Sequence, residues 1–149
     1  EILLYAASRA QLVEQVIRPA LQRGEVILCD RFVDSSMAYQ GFGTPWDREE
    51  IRRVNRIATG GLRPDRTYLL DVPVEESIRR LQNRGRGIDR IEQKGRNYHE
   101  RVRQGFLHLA QAEPERFLVV DACRPVREVF RILKRDLEQL IAISREGET

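Results

Sequence analysis

Cysteine and histidine are scarce: the 149 residues hold two of each. Cys29 and Cys123 both lie in apolar runs, which predicts small buried thiols in a reducing compartment and argues against a disulfide framework. His99 and His108 are not neighbours of either cysteine in sequence, so the spacing of a zinc site is missing. Long hydrophobic runs are also missing. No stretch approaches the roughly 18 apolar residues of a membrane span, and none has the charged-then-apolar order of a secretory signal. Charge of one sign is not in large excess either. The 26 basic residues are nearly matched by 23 acidic ones, for a net charge of +3, which argues against a protein that coats nucleic acid. No internal repeat or low-complexity linker interrupts the chain.

What remains is a chain of 41% hydrophobic content, suited to one domain around a single core, spanning residues 1–149. From Glu1 to Arg23, apolar residues at Leu4, Leu12, Val13, Val16, Ile17, Ala20 and Leu21 predict a helix capped by Gly24, with Pro19 kinking or ending it early. Val26 to Cys29 reads as a short buried strand. Thr44-Pro45-Trp46-Asp47 has the N-cap, first-turn proline and acid of a helix start, and that helix runs through Ala58 to Gly60-Gly61. Arg66 to Val72 is a second strand, closed by Pro73, and a helix with Val74, Ile78 and Leu81 on one face follows. Asn83 to Gly95 is rich in arginine and glycine and predicts a flexible loop. Asn97 to Glu113 is a helix with Val102, Phe106, Leu109 and Ala110 inward, stopped by Pro114. Phe117 to Val120 is a third strand, and Val126 to Ile143 a last helix. Short apolar strands alternating with helices predict an α/β fold, a parallel sheet covered on both faces.

In open parallel sheets, ligands gather at the carboxyl ends of the strands. Asp30, Asp71 and Asp121 stand at or near those ends. Asp71, before Val72-Pro73, reads as a turn cap, and Asp121 permits the same reading. Asp30 differs because Arg31 follows at once. The pair is either a structural salt bridge or an arginine aimed at a substrate phosphate, with the carboxylate near a metal-bound phosphoryl group. Arginine dominates the bases and concentrates between Arg79 and Arg103, which favours a local anion site. RGRGIDR, Arg84 to Arg90, is either a solvated charged loop or a lid that Gly85 and Gly87 allow to swing over transferring phosphates. Tyr5 and Arg9, spaced i, i+4, share a helix face, where ring and guanidinium suit a planar base.

Taken in order, YAASRAQLVEQVIRPAL, CDRFVDSSMAYQG, LRPDRTYLLDV, RGIDRIEQ and VVDACRPV resemble bacterial thymidylate kinase over nearly the whole chain. The resemblance implies a P-loop NTPase-like sheet with flanking helices, and phosphorylation of dTMP to dTDP by ATP with Mg²⁺. It implies that Tyr5 stacks on thymine, that Arg9 bonds the base carbonyl and that Arg31 holds the 5′-phosphate. Asp30 would lie near Mg²⁺ and the acceptor phosphate. Ser35 and Ser36 would form a loop against base and sugar, with Tyr39 excluding a ribose 2′-OH and Gln40 facing the nucleotide. Arg84, Arg86 and Arg90 fall in the lid (about 83–95), with Arg84 and Arg90 also reaching ATP. Ala122, Arg124 and Pro125 belong to the segment against which adenine rests. A cytoplasmic homodimer packed through the first helix is implied too.

The family also needs an N-terminal strand ending in GxxxxGK[ST], the cradle for ATP phosphates. No such motif occurs in these residues, and the chain opens on Glu1 within a helix. The expectation is therefore the C-terminal two-thirds or so of such an enzyme, lacking the first strand and inactive alone. Another P-loop deoxynucleoside or nucleotide kinase is the nearest alternative. A non-catalytic binding or assembly module of the same fold is the other.

Overall fold

The computed structural model describes residues 1–83 and 94–146, with the side chains of 145 and 146 excluded. The chain opens with α1 (Ile2–Leu12), which continues through a π turn (Val13–Ile17) into α2 (Arg18–Gln22). Pro19 does not end the helix. Proline has no N–H and crowds the carbonyl four residues back, and the wider i→i+5 turn before it, closed by Arg18 N–H on the Val13 carbonyl, absorbs the misfit. Gly24 then caps the helix at φ +73°. The Gly24 N–H bonds the Leu21 carbonyl and the Glu25 N–H the Ala20 carbonyl, at 2.9 and 3.0 Å, the paired bonds of a Schellman motif.

Val26–Cys29, expected as a buried strand, has no regular secondary structure, and its residues are largely exposed. A strand is defined by hydrogen bonds to a neighbour, and among the described residues none supplies them. The expected burial of the cysteines is corrected too: Cys29, in this unpaired segment, and Cys123, in the turn after the strand ending at Asp121, are both exposed and free. The segment after Arg31, expected as a loop, is helical. It forms α3 (Val33–Ser36) and a second π segment (Met37–Phe42), closed by Gly43 N–H on the Ala38 carbonyl.

α4 (Arg48–Thr59) begins later than its sequence signals imply. Its N-cap is Asp47, whose carboxylate accepts from Glu49 N–H at 2.8 Å, while Thr44 donates its hydroxyl to the Gln40 carbonyl. Gly60, at φ +57°, ends the helix as expected. β1 (Thr67–Asp71), α5 (Val74–Asn83), α6 (Arg96–Ala112), β2 (Phe117–Asp121) and α7 (Val126–Glu146) complete the order. Where three strands were expected, the described residues form a two-stranded parallel sheet with Thr67 opposite Phe117 and Asp71 opposite Asp121.

Side chains alternate across the sheet. Leu69 and Phe117 face α6, packing with Ile2, Met37, Ile51, Leu109 and Ala110. Tyr68 faces the other way and donates its hydroxyl to Asp136 on α7 at 2.9 Å. Helices therefore cover both faces, as an α/β sheet requires. A second cluster, Ala38, Tyr98 and Val102 with Tyr39 and Phe106, locks the π segment onto α6. Gly105 makes this possible, since a Cβ there would meet the Phe42 Cβ at 2.6 Å. The face of α1 and α2 that is buried runs through Ile2, Ala6, Val13, Ile17 and Ala20, whereas Leu4, Leu12, Val16 and Leu21 of the expected apolar face are exposed, as is Leu3.

Candidate functional site

The carboxyl-side end of α1, the unpaired Val26–Asp30 segment and the α3–π helix converge on one cleft of about 270 Å³. It is lined by Tyr5, Ser8, Arg9, Leu12, Asp30, Arg31, Phe32, Ser35, Ser36, Tyr39 and Gln40. Eight residues singled out from the sequence thus meet in one place: Tyr5, Arg9, Asp30, Arg31, Ser35, Ser36, Tyr39 and Gln40. Ser8, Leu12 and Phe32 join them without having been singled out. Ser8 lies three residues after Tyr5 on a helix whose cleft-facing side Tyr5 and Arg9 had already marked, so helical spacing carried the signal.

Arg31 is the sole described non-glycine residue at positive φ, +66°. Left-handed backbone at a side chain of this size costs about 1–2 kcal/mol, and such strain concentrates at functional positions. The turn throws the guanidinium toward the cleft, with its Cζ 5.4 Å from the Tyr39 ring centroid, within cation–π range. Among the described residues neither Asp30 nor Arg31 has an ion-pair partner, so the structural salt-bridge reading of that pair is not what the geometry displays. Both groups are exposed at the cleft mouth.

Arg9 is held differently. Its Nη1 donates to Asn55 Oδ1 at 2.7 Å, and its Nη2 donates to the Ser36 hydroxyl at 3.0 Å and the Phe32 carbonyl at 3.2 Å. Burial lowers its pKa from the usual arginine range, leaving a desolvated cation at the cleft wall. Ser36 is spent on this bond and is buried, so of the two serines only Ser35 is partly open. Tyr39 packs edge-on against Phe106 with centroids 5.9 Å apart, and its carbonyl accepts from the Tyr98 hydroxyl at 3.2 Å. Burial pushes the Tyr98 phenol up to about 12. Gln40 is buried and donates to Glu1 Oε1 at 3.0 Å. Gly43 closes this turn, and a Cβ there would land on the Tyr39 carbonyl.

Behind the cleft lies a buried ion pair that sequence reasoning missed. Arg116 donates from Nη1 and Nη2 to the two Asp34 oxygens, both at 2.8 Å, from Nη1 to the Thr67 hydroxyl at 2.6 Å, and from Nε to Glu113 at 2.8 Å. Burial alone would lower the Arg116 pKa, but the bonds and charges of Asp34 and Glu113 reverse this and raise it. The fork ties α3 to the start of the sheet. Partners 82 residues apart leave no local spacing signal.

Asp71, expected as a cap, instead takes a bidentate pair from Arg103 at 2.8 and 2.9 Å, which lowers its pKa. Asp121 does cap its turn, accepting from Cys123 N–H at 2.9 Å. Ala122, Arg124 and Pro125 stand beyond the end of β2 and are not among the cleft residues; the Ala122 carbonyl accepts from Arg80 at 3.0 Å. Arg84, Arg86 and Arg90 lie outside the described residues. Among the described residues no group of three or more His, Cys, Asp or Glu could hold a metal, and no helix is long and apolar enough to cross a membrane.

Comparison with known proteins points one way. A family profile described as thymidylate kinase matches residues 1–132. A thymidylate kinase of Deinococcus radiodurans is 54% identical over 147 residues, 99% of this chain and 68% of that protein. One of Exiguobacterium sibiricum is 50% identical over 137 residues, 92% of this chain and 64% of its own length. One of Clavibacter michiganensis is 52% identical over 142 residues, 95% of this chain and 67% of that protein. The chain thus spans about two-thirds, or less, of the length of these relatives.

Proposed function

The chain belongs to the thymidylate kinase family, and from that membership we propose that the intact protein transfers the γ-phosphoryl group of ATP to dTMP, giving dTDP. The observation that carries the reading is the cleft itself, where a stacking ring, a fixed guanidinium and a second, exposed guanidinium at the mouth suit the base, its edge and the phosphate of one nucleotide. Tyr5 stacks on thymine and Arg9 donates to a base carbonyl. Tyr39 stands against the sugar, where its ring leaves no room for a 2′-OH, with Ser35 and Gln40 beside the nucleotide. Arg31 holds the 5′-phosphate as a charge-assisted donor.

Mg²⁺ fits this arrangement only indirectly. It usually binds through one or two carboxylates together with substrate phosphates, and among the described residues Asp30 is the one carboxylate lining the cleft. When bound, the ion would neutralise charge on the phosphates of ATP. The protein's own work is alignment: Arg31 fixes the acceptor phosphate, and Tyr5 and Arg9 fix the far end of the nucleotide, so the acceptor oxygen is held in line. Arg84, Arg86 and Arg90 serve the transferred group from the lid, and the segment of Ala122, Arg124 and Pro125 meets the adenine of ATP. The exposed apolar residues of α1, Leu3 and Leu4 among them, support a homodimer packed through that helix. Exposed free thiols at Cys29 and Cys123 fit the reducing cytoplasm.

A coupled assay of ADP release by the intact protein tests this. We expect dTMP to exceed dCMP and AMP by about 100-fold or more in kcat/KM, the scale set by a polar base edge that meets fixed partners. Equal rates with the three acceptors would overturn it and favour another nucleotide kinase. The 149-residue chain alone, which contains no GxxxxGK[ST], is expected to bind dTMP without turnover.

A further inference from the structure

Asn55 sits where a fold would ordinarily place an apolar residue. It is 5% exposed, in mid-helix on α4, between Ile51 and Thr59 one turn to either side, which are 0% and 2% exposed. Asparagine is a poor helix former, and burying an amide is unfavourable unless it is well bonded. Its Nδ2 reaches only the Val33 carbonyl, at the long distance of 3.5 Å. Its Oδ1 makes the short bond, 2.7 Å from Arg9 Nη1. The side chain is therefore held at this position by what its oxygen does to Arg9.

The other acceptors of Arg9 define what that is. The Phe32 carbonyl and the Ser36 hydroxyl take both hydrogens of Nη2, and Asn55 takes one from Nη1. Of the five guanidinium donors, two have no acceptor among the described residues. Phe32 and Ser36 are close together in the chain and both act on Nη2, so they anchor the group at that one nitrogen. Asn55, from a different helix, anchors it at Nη1. All three acceptors are neutral, so the guanidinium is oriented while its charge stays available to the cleft. An apolar side chain at 55 would fill the space but remove the one acceptor that anchors the Nη1 end of Arg9.

We infer that Asn55 is a positioning residue for base recognition, aiming the Arg9 guanidinium so that the cleft prefers a pyrimidine carrying a carbonyl over one carrying an amino group at the edge facing Arg9. This rests on the proposed reading of the cleft as the dTMP site. The amino analogue presents N–H donors to the N–H donors of Arg9, and a rigidly held Arg9 cannot turn away from them. A loosely held one can.

The test is calorimetric binding of dTMP and of 5-methyl-dCMP, which differ only in carbonyl versus amino at the 4-position and the matching ring proton, to the intact protein. Variants are Asn55→Leu, which keeps the branched shape but offers no acceptor, and Asn55→Asp, which keeps the oxygen. The expected ratio of affinities falls about tenfold in Asn55→Leu, the size of one well-placed hydrogen bond, and stays within about twofold of wild type in Asn55→Asp. In an Arg9→Gln background, Asn55→Leu is expected to lower the ratio no further, because the two residues act through one contact. A merely structural role would move the melting temperature and leave the ratio unchanged. An unchanged ratio in Asn55→Leu, or an equal fall in Asn55→Asp, overturns the inference. If Asn55→Leu is not folded by circular dichroism, Asn55→Ala decides by the same ratio. No preference in the wild type would instead overturn the dTMP reading itself.

Discussion

Replacing Arg116 by methionine removes the fork that joins α3 to the sheet and strands the Asp34 carboxylate in the interior. The two side chains are 9% and 10% exposed, so water replaces little of what is lost. The guanidinium makes four hydrogen bonds, two to Asp34 and one each to Thr67 and Glu113. Charge-assisted bonds contribute about 1.5–3 kcal/mol each, but they share one group and one desolvation penalty, so they do not sum. Removing one partner of a buried pair costs about 3–5 kcal/mol, a large part of the 5–15 kcal/mol that holds a domain. With a urea m-value of about 1–3 kcal/mol/M, the unfolding midpoint should fall by at least about 1 M, followed by far-UV circular dichroism. Asp34→Leu with Arg116→Met together should recover most of the loss, because no charge is then left buried. Because α3 carries Ser35 and Ser36, the single variant should also bind dTMP more weakly. A single-variant loss under about 1 kcal/mol, or strict additivity in the double variant, refutes the reasoning.

Gly105→Ala should destabilise by about 1–3 kcal/mol through overpacking against Phe42, read as a lowered melting temperature; an unchanged one would show that α6 has slack at that contact. Gly43→Ala should weaken dTMP binding in calorimetry more than it lowers stability, since the added Cβ displaces the Tyr39 carbonyl, and the reverse order would contradict this. Arg103 holds the Asp71 pKa down, so this pair stabilises the fold above pH about 4 and the gain disappears as pH falls below it. Arg103→Gln should accordingly lower stability most near neutrality, with an effect that shrinks as pH is lowered below about 4, followed by urea unfolding across that range. Burial raises Tyr68 and Tyr98 to about 12, which stabilises the fold below pH about 10 and is lost as pH rises toward the folded value. An ultraviolet phenolate titration should show these two ionising late, and a single step near 10 for all four tyrosines would contradict it.

The cleft was legible in the sequence because its residues come from two short stretches of chain. Helical spacing placed Tyr5 with Arg9, and Asp30-Arg31 sat at the end of an apolar run. Helix ends were legible where glycine fixed them, at Gly24 and Gly60. Thr44 misled because it satisfies the Gln40 carbonyl while Asp47 caps the helix. Composition marked Val26–Cys29 as a strand, but pairing depends on a neighbour that no local pattern encodes, so its exposure and that of Cys29 could not be foreseen. The supports were also hidden. Asn55 reaches Arg9 across 46 residues and Arg116 reaches Asp34 across 82, and a polar residue in a buried stripe announces a partner without naming it.

The most direct test of the account is to titrate dTMP into the isotope-labelled protein and follow backbone amide shifts by NMR. The account predicts saturable shifts at Arg9, Arg31, Ser35, Ser36, Tyr39 and Gln40, around the cleft, with α7 unmoved. Shifts gathered on another surface, or no saturable response from a protein that phosphorylates dTMP, would contradict it.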